Sequence, residues 1–188
     1  MSSNSREAIL AAARQTAQAH GYNGLNFRDL AAAVGIKSAS IYYHFPSKAE
    51  LGAAVARRYW EDSAAVLAAL AAAHPDPAEQ LRRYPGTFRA SLENDNRLCL
   101  CSFMAAETRD LPDAVIGEVR TFADVNVAWL AQAIAAAGLA APGPASQARA
   151  QAMFAAVAGA QLMARSRADI ALYDQLIDSY RTAGLLPA

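Results

Sequence analysis

The sequence has 188 residues, of which 54% are apolar and 18% charged, so it fits one or two globular domains and excludes a disordered chain. About a quarter of the residues are alanine, the strongest helix former, which predicts an all-α fold. The formal net charge is zero, but residues 1–60 carry seven basic and three acidic side chains. A nucleic-acid partner is therefore not excluded by the neutral total.

Neither membrane insertion nor secretion is predicted. No stretch reaches the roughly 18 consecutive apolar residues that a membrane-spanning helix needs. The first 14 residues lack the basic cluster, apolar core and small-residue cleavage site of a secretory signal. Cys99 and Cys101 cannot build a disulfide framework, so we expect a reducing compartment, the cytoplasm.

Four helices are predicted in the first part of the chain from their start and stop signals. Asn26 and Ser47 are polar residues suited to capping a helix start. Gly21 and Gly35 end the first and second helices, and Pro46 ends the third. The predicted helices are about 6–20 with Ser5 as its cap, 27–34, 37 or 38 to 45, and 48–73.

Five further predicted helices give about nine in all, without any strand pattern. A helix over about 77–94 must kink or break at Pro85–Gly86, because proline lacks the amide donor that a helix interior needs. A second helix ends at Gly138. That helix covers about 112–137, and the other three predicted ranges are about 98–108, 146–167 and 169–183.

The stretch Asn26–Leu51 carries the most specific functional signal. Two short helices are joined by a tight turn at Gly35–Ile36, and the small Ala31 lies where they would cross. This is the arrangement of a helix-turn-helix, whose second helix enters the DNA major groove. That helix exposes side chains that donate hydrogen bonds and are not acidic, as a major-groove surface requires. They are Lys37, Ser38, Ser40, Tyr43 and His44.

This stretch resembles the DNA-binding domain of the TetR family of bacterial transcriptional regulators. The resemblance rests on Ala31, Gly35, Tyr42, Phe45, Ser47, Lys48 and Leu51. It implies an all-α homodimer, with a three-helix DNA-binding domain in residues 1–50 and a helical ligand-binding and dimerisation domain in residues 51–188. It further implies a ligand-responsive regulator, typically a repressor, that a small-molecule inducer releases from a palindromic operator in double-stranded DNA.

The resemblance assigns the DNA contacts residue by residue. Lys48 would touch a phosphate, as would Asn26 and Arg28 with help from backbone N–H groups. Tyr42 could instead be half core, and His44 could be exposed without a contact. Arg57 and Arg58 lie too far along the fourth helix and are predicted to be solvated or interdomain. The expected DNA-binding residues are Asn26, Arg28, Lys37, Ser38, Ser40, Tyr42, Tyr43, His44 and Lys48.

The resemblance also places a ligand pocket and a dimer interface in the second domain. Aromatic and polar side chains suit a small-molecule pocket, although they suit a protein core equally well. The candidate pocket residues are Trp60, Tyr84, Phe88, Cys99, Cys101, Phe103, Met104, Phe122, Asn126 and Trp129. In the family the last two helices pair with the same helices of a second subunit. The alternative is that their apolar residues are buried in the core of a monomer. The candidate interface residues are Met153, Phe154, Val157, Leu162, Ile170, Tyr173, Ile177 and Tyr180.

Residues 99–107 resemble a segment of a TetR-like subgroup that responds to electrophiles such as quinones, maleimides and acrylate-type compounds. A thiolate adds to an activated alkene, and Arg97 would favour the thiolate. On a helix, however, Cys99 and Cys101 would point about 200° apart, so they cannot form a mutual disulfide. The alternative is that both are small buried apolar residues. Glu107 and Arg109 are expected to form a surface pair.

No enzyme chemistry is predicted. The sequence has no glycine-rich phosphate loop, no His/Glu metal pair at i, i+4, and no nucleophile with a base, so we expect neither a cofactor nor a bound metal. A second hypothesis is a helical ligand-binding or catalytic bundle whose first domain contacts protein instead of DNA. A third is an architectural DNA binder, which would bind every sequence with similar affinity.

Overall fold

The computed structural model describes residues 2–188, which form ten α-helices and one 3₁₀ turn, Thr108–Asp110, without a strand. The predicted all-α class is confirmed. The count exceeds the expected nine because the helix predicted over 77–94 is divided in two. The helices are α1 (Ser2–His20), α2 (Phe27–Val34), α3 (Ser38–His44), α4 (Lys48–Ala73), α5 (Pro77–Arg83), α6 (Pro85–Glu93), α7 (Leu100–Ala106), α8 (Asp113–Ala136), α9 (Pro144–Ser166) and α10 (Ile170–Thr182).

Contacts divide the chain into two compact units. The first unit comprises the residues up to Glu61 together with Leu100–Phe122, and the second comprises Asp62–Cys99 with Ala123–Ala188. The first unit thus includes α7 and the beginning of α8 in addition to α1–α3. The boundary expected at residue 50 from the family resemblance lies inside α4, which runs through both units.

The helix ends of the first unit follow the predicted capping signals. The side chain of Asn26 accepts hydrogen bonds from Arg28 N at 2.8 Å and Asp29 N at 3.3 Å. Gly35 ends α2 in the left-handed conformation, with φ 74°. Glu50 N donates to Ser47 Oγ at 3.2 Å at the start of α4. Only the first cap differs: α1 already begins at Ser2, because the polar residues before Ser5 tolerate a helix.

The core of the first unit is formed by the predicted apolar faces. Side chains of α1 pack against those of α2 and α3, and the small Ala31 is buried where the two motif helices cross. Removing these side chains from water stabilises the unit by about 1.5–3 kcal/mol for each large one. The buried set includes Ile9, Leu10, Ala13, Ala17, Leu30, Ala31, Ile41, Phe45 and Leu51.

The second unit contains the helix break that the prolines predict. Asp76 caps α5 by accepting from Ala78 N at 3.0 Å, and Pro85, which has no N–H, starts α6 directly after Tyr84. The break leaves the Tyr84 ring fully buried. In the same unit α6 and α10 pack on α9, and Tyr173 donates its hydroxyl proton to Pro85 O at 2.7 Å.

Two other predicted boundaries shift. The helix expected over 98–108 is confined to Leu100–Ala106, so Cys99 precedes α7 instead of lying in it. The helix expected from residue 146 begins at Pro144, whose fixed φ suits the first turn. None of the helices within residues 2–188 has the length and apolar character needed to cross a membrane.

Candidate DNA-binding surface and ligand-binding unit

Helix α3 turns two large aromatic side chains to solvent. Tyr42 is 57% exposed and Tyr43 is 80% exposed, whereas Ile41 and Phe45 on the opposite side of the helix are buried. Folding of the chain does not explain two exposed tyrosines on one seven-residue helix. An exposed aromatic pair with hydroxyl donors fits recognition of a partner.

Aromatic contacts fix the orientation of both tyrosine rings. The Tyr42 ring packs edge-on against Phe27 of α2, with 4.7 Å between ring centroids. The Tyr43 ring packs edge-on against His44 at 5.1 Å, and His44 is itself 6.5 Å from the Phe45 ring. Tyr42 therefore anchors α3 to α2 while most of it stays accessible, and the half-buried His44 supports Tyr43.

Polar side chains around these tyrosines complete the surface. Lys37 and Arg28 are exposed, and Ser38 and Ser40 are half-exposed along α3. Helix α3 contains no acidic residue, so hydrogen-bond donors dominate the face that it presents. This composition suits contacts to phosphate oxygens and to the acceptor-rich base edges of the major groove.

Asn26 has a structural task that the sequence prediction only partly included. Its Oδ1 atom accepts from the N–H groups of both Arg28 and Asp29. Those N–H groups are the ones that were expected to assist phosphate binding at the start of α2. In the structure these two groups already have an acceptor, and their contribution to phosphate binding stays a prediction.

Lys48 is held at the start of α4 by the turn that follows α1. Its Nζ atom donates to Asn23 O at 3.1 Å and lies 4.8 Å from the centroid of the Tyr22 ring. An ammonium over an aromatic face is attracted by the ring quadrupole. The backbone carbonyl and the ring together restrict a long side chain that would otherwise sample many rotamers.

The two arginines further along α4 bind acidic side chains of the first unit. Arg57 donates to Glu118 of α8, and Arg58 donates to Glu7 of α1. Glu118 also accepts from Trp60 Nε1 at 2.7 Å, so this predicted pocket residue takes part in an ion-pair cluster. Burial raises the pKa of Glu118, but the hydrogen bonds from Arg57 and Trp60 outweigh it, and the net pKa is lowered.

Four predicted pocket residues meet in the core of the second unit. Tyr84 donates its hydroxyl proton to Asn126 Oδ1 at 3.0 Å, and both side chains are buried. The Tyr84 ring stacks on Trp129 and is tilted against Phe88, with 5.8 Å between centroids in each pair. Burial, with a smaller contribution from the nearby Cys99, raises the pKa of Tyr84, which keeps the hydroxyl protonated as a donor.

Sequence reasoning missed the polar residue that completes this cluster. Gln161 is fully buried on α9, where its Nε2 donates to Phe88 O at 2.6 Å and its Oε1 accepts from Cys99 N at 3.0 Å. A glutamine among the apolar residues of α9 was the available signal. We refer to Tyr84, Phe88, Cys99, Asn126, Trp129 and Gln161 as the polar–aromatic cluster.

The five predicted pocket residues outside the polar–aromatic cluster belong to the first unit. Cys101 and Met104 are buried on α7, and Phe103 is half-buried. The Phe122 ring lies 5.5 Å from that of Tyr59. The two cysteines, both of them buried, therefore fall in different units.

An open groove on the second unit differs from the predicted pocket. It has a volume of about 730 Å³ and is formed by the end of α8, the Pro142–Pro144 loop and the start of α9. Its lining is mainly apolar, with three alanines and two prolines, and its polar members are Gln132, Ser146 and Gln147. None of the ten predicted pocket residues lines it.

The predicted interface residues occupy both sides of the last two helices. Met153, Val157, Tyr173 and Ile177 are buried and pack within the chain instead of facing outward. Phe154, Ile170 and Tyr180 are half-buried, and Leu162 is 56% exposed. A second, solvent-facing stripe of small and apolar residues follows α9 at helical spacing, which we call the outer α9 stripe. It consists of Ala148, Ala152, Ala155, Gly159, Leu162 and Met163.

The comparisons with known proteins agree on one family. Residues 9–55 match the model for bacterial regulatory proteins of the tetR family. A TetR-family regulator from Agrobacterium tumefaciens is 30% identical, with a TM-score of 0.88 over 95% of this chain and 96% of that one. A TetR regulator from Legionella pneumophila is 27% identical, with a TM-score of 0.84 over 94% and 95%.

A more distant structure shares the fold. The reduced form of NemR from E. coli is 20% identical and covers 98% of each chain with a TM-score of 0.84. A search of curated proteins returned no match.

An exposed recognition helix in a helix-turn-helix, carried by an all-α chain of this fold, defines the class of DNA-binding transcriptional regulators, which are not enzymes. The chain belongs to the TetR family of bacterial regulatory proteins.

Proposed function

We propose that the chain is a ligand-responsive transcriptional repressor that works in the cytoplasm. It binds a palindromic operator as a homodimer and leaves it when a small molecule binds to the second unit. The observation that carries the DNA-binding part is the exposure of Tyr42 and Tyr43 on α3, at 57% and 80%, beside the exposed Lys37. Recognition of double-stranded DNA gives these side chains a task that folding does not.

The proposed DNA contacts are of two kinds. Tyr43, Lys37 and His44 project from the helix and read base edges in the major groove, with Ser38 and Ser40 as additional donors. Tyr42 of α3, Arg28 of α2 and Lys48 of α4 bind phosphates, which fix the register of α3 on the duplex. Asn26 supports Arg28 by capping α2.

Two DNA-binding domains are needed because each one brings few cations to the DNA. Arg28, Lys37 and Lys48 are the three basic residues that we assign to DNA contacts. Every phosphate contact contributes a salt-dependent increment to affinity, so a single domain binds weakly. A dimer doubles the contacts and matches the two half-sites of a palindrome.

The outer α9 stripe is the surface on which we place the dimer. A Cβ built on Gly159 would meet no atom within 4 Å, so the packing of its own chain does not require glycine there. Leu162 and Met163, at 56% and 43% exposure, add large apolar area beside it. Small residues allow two copies of α9 to approach closely, with α10 flanking them in a four-helix bundle.

The polar–aromatic cluster supports the ligand-binding part of the proposal. A ligand that displaced the Tyr84–Asn126 hydrogen bond would meet a donor, an acceptor and two aromatic faces in one place. Both thiols are buried, which favours a non-covalent inducer over an electrophile that must reach a thiolate. The inducer acts by binding more tightly to the DNA-free state.

The deciding experiment is fluorescence anisotropy on DNA from immediately upstream of the protein's own gene, against a scrambled duplex. We expect at least about a 10³-fold preference for the specific DNA. Tyr43→Ala and Lys37→Ala should abolish that preference, while the fold and the dimer survive. Arg120→Ala removes an exposed cation of α8 and is the matched control, which should bind as the wild type does.

Each alternative has its own result in this assay. Similar affinity for both duplexes indicates an architectural DNA binder. No binding to DNA of any sequence, including fragments selected from the whole genome, indicates a helical bundle whose first unit contacts protein.

A further inference from the structure

The carboxylate of Glu107 lies directly on the turn between α1 and α2. Its Oε2 atom accepts a hydrogen bond from Tyr22 N at 2.7 Å. A Cβ built on Gly21 would overlap the Glu107 carboxylate, 2.6 Å from its Cδ, so a larger residue at position 21 would displace the carboxylate from this place. Glu107 is thus bound to the backbone of the first unit and is not the surface partner of Arg109 that the sequence suggested.

Glu107 reaches this turn from α7, outside the helix-turn-helix sequence. Its own N–H donates to Met104 O at 2.9 Å, which continues α7 by a turn, and α7 packs on α1. The carboxylate therefore sits near the carboxyl end of α1, where the helix dipole disfavours negative charge. Stabilisation of α1 does not account for its place.

The same turn holds the ammonium group of Lys48. Lys48 Nζ donates to Asn23 O at 3.1 Å and lies 4.8 Å from the Tyr22 ring centroid. The ring is in turn fixed by α4, because a Cβ on Gly52 would come within 2.6 Å of Tyr22 Cε2. One hydrogen bond at Tyr22 N thus connects the end of α7 to a residue assigned to a DNA phosphate.

We propose that Glu107 is a positioning residue for DNA binding, which acts through Tyr22 on Lys48 and never touches DNA. With the carboxylate in place, the turn offers Lys48 a fixed carbonyl and a fixed ring. Without it, Tyr22 N loses its acceptor, the turn relaxes, and the ammonium group loses its place. The inference rests on the proposed function, since it assigns a regulatory connection to the same DNA-binding surface.

The test is a double-mutant cycle in the full-length protein, measured by operator anisotropy across a salt series. Lys48→Ala should lower the slope of log affinity against log salt by about two per dimer, because each of the two DNA-binding domains loses one phosphate contact. Glu107→Ala should weaken binding about tenfold and lower the slope toward that of Lys48→Ala. Glu107→Ala should add no further loss in the Lys48→Ala background, because both act through one contact.

Conservative variants separate positioning from a general effect on folding. Glu107→Gln keeps an acceptor oxygen at full length and should restore most of the affinity. Glu107→Asp keeps the charge but is one methylene shorter, so its carboxylate should not reach Tyr22 N. Its operator affinity should fall about as much as that of Glu107→Ala, and it replaces the alanine variant in the test if the alanine variant folds poorly. Additive losses in the cycle, or a glutamine variant as weak as the alanine variant, would overturn the proposal.

An NMR readout distinguishes failure of this inference from failure of the proposed function. The Tyr22 ring, 4.8 Å from Lys48 Nζ, should shift the Lys48 Hε resonances, and in Glu107→Ala they should move to the position of an exposed lysine. If they move while the wild type lacks sequence-specific DNA binding, Glu107 positions Lys48, but the regulator proposal fails and the role in DNA binding fails with it. If the wild type binds specifically and the resonances do not move, the positioning role is wrong.

Discussion

The side-chain oxygen of Gln161 accepts a hydrogen bond from the backbone N–H of Cys99 at 3.0 Å in the core of the second unit. The same carboxamide donates to Phe88 O at 2.6 Å. Gln161→Leu keeps a similar volume but leaves two buried backbone groups without this partner. We expect the free energy of unfolding to fall by about 2–4 kcal/mol, measured by urea denaturation. Gln175→Leu, at an exposed site on α10, should change it by less than about 0.5 kcal/mol.

If the free energy of unfolding falls no more in Gln161→Leu than in Gln175→Leu, the two hydrogen bonds of Gln161 contribute little net stability.

The helix-turn-helix could be predicted in detail because its signals are local. Asn26, Gly35 and Ser47 each act within four residues of their own position, through a side-chain cap or a left-handed turn. Such signals do not depend on the rest of the fold. The exposed face of α3 followed once the buried positions of Ile41 and Phe45 were recognised.

The second unit was less predictable because α9 is apolar on both sides. The inner side contains Met153 and Val157, and the outer side contains Ala155, Gly159 and Leu162. In an alanine-rich helix, the hydrophobic periodicity does not distinguish the face that packs on the chain's own core from a face that binds a second chain. The bond of Glu107 to Tyr22, 85 residues away, has no local signal in the sequence. Gln161 stands out as a glutamine in an apolar helix, but nothing near it indicates Cys99, 62 residues away, as its partner.

The hydroxyl of Tyr42 can be tested separately from its ring. The ring packs on Phe27 with 4.7 Å between centroids, a contact that phenylalanine can retain. We therefore expect Tyr42→Phe to change the free energy of unfolding by less than about 0.5 kcal/mol. Operator affinity should fall about tenfold through loss of a hydrogen bond to a charged phosphate. Phe27→Ala should lower both quantities, and an unaltered affinity in Tyr42→Phe would remove this contact from the proposed surface.

Dimerisation through the outer α9 stripe predicts a change of mass. Leu162→Glu combined with Met163→Glu places two charges where two copies of α9 would meet, and burying unpaired charges is costly. Sedimentation should then show a species near the 19.9 kDa of one chain in place of twice that mass. Val66→Glu alters another exposed apolar side chain, at 50% exposure on α4, and should leave the dimer intact. A double variant that remains dimeric would exclude this face.

The Glu118 ion-pair cluster makes stability depend on pH in a defined direction. Burial raises the pKa of Glu118, but the hydrogen bonds from Arg57 and Trp60 lower it by more than burial raises it, so the net pKa is depressed. A depressed carboxyl pKa contributes stability above the unfolded value, about 4.3, and loses it as pH falls through the folded value. Glu118→Gln should therefore be less stable than the wild type at pH 7, by under about 1 kcal/mol, because Arg57 is largely exposed.

Urea denaturation at neutral pH and below pH 4 checks the sign. The difference between the wild type and Glu118→Gln should shrink at the lower pH. Asp124→Asn removes an exposed carboxylate from the same helix and should show no such dependence. A gap between wild type and Glu118→Gln that widens on acidification would contradict the assignment.

Two glycines isolate the contact between Glu107 and the α1–α2 turn. Gly21 and Gly35 have almost equal φ angles, 70° and 74°, so an alanine at either pays the same backbone cost of about 1–2 kcal/mol. They differ in surroundings, because a Cβ on Gly35 meets nothing within 4 Å, whereas one on Gly21 meets the Glu107 carboxylate. Gly21→Ala should therefore be more destabilising than Gly35→Ala in urea denaturation. Glu107→Ala should remove the additional loss of stability at Gly21 and leave the loss at Gly35 unchanged, since the steric conflict requires the carboxylate.

Equal losses of stability at the two glycines in the wild-type background would mean that the carboxylate moves aside easily. A side chain that moves so easily could not position Lys48.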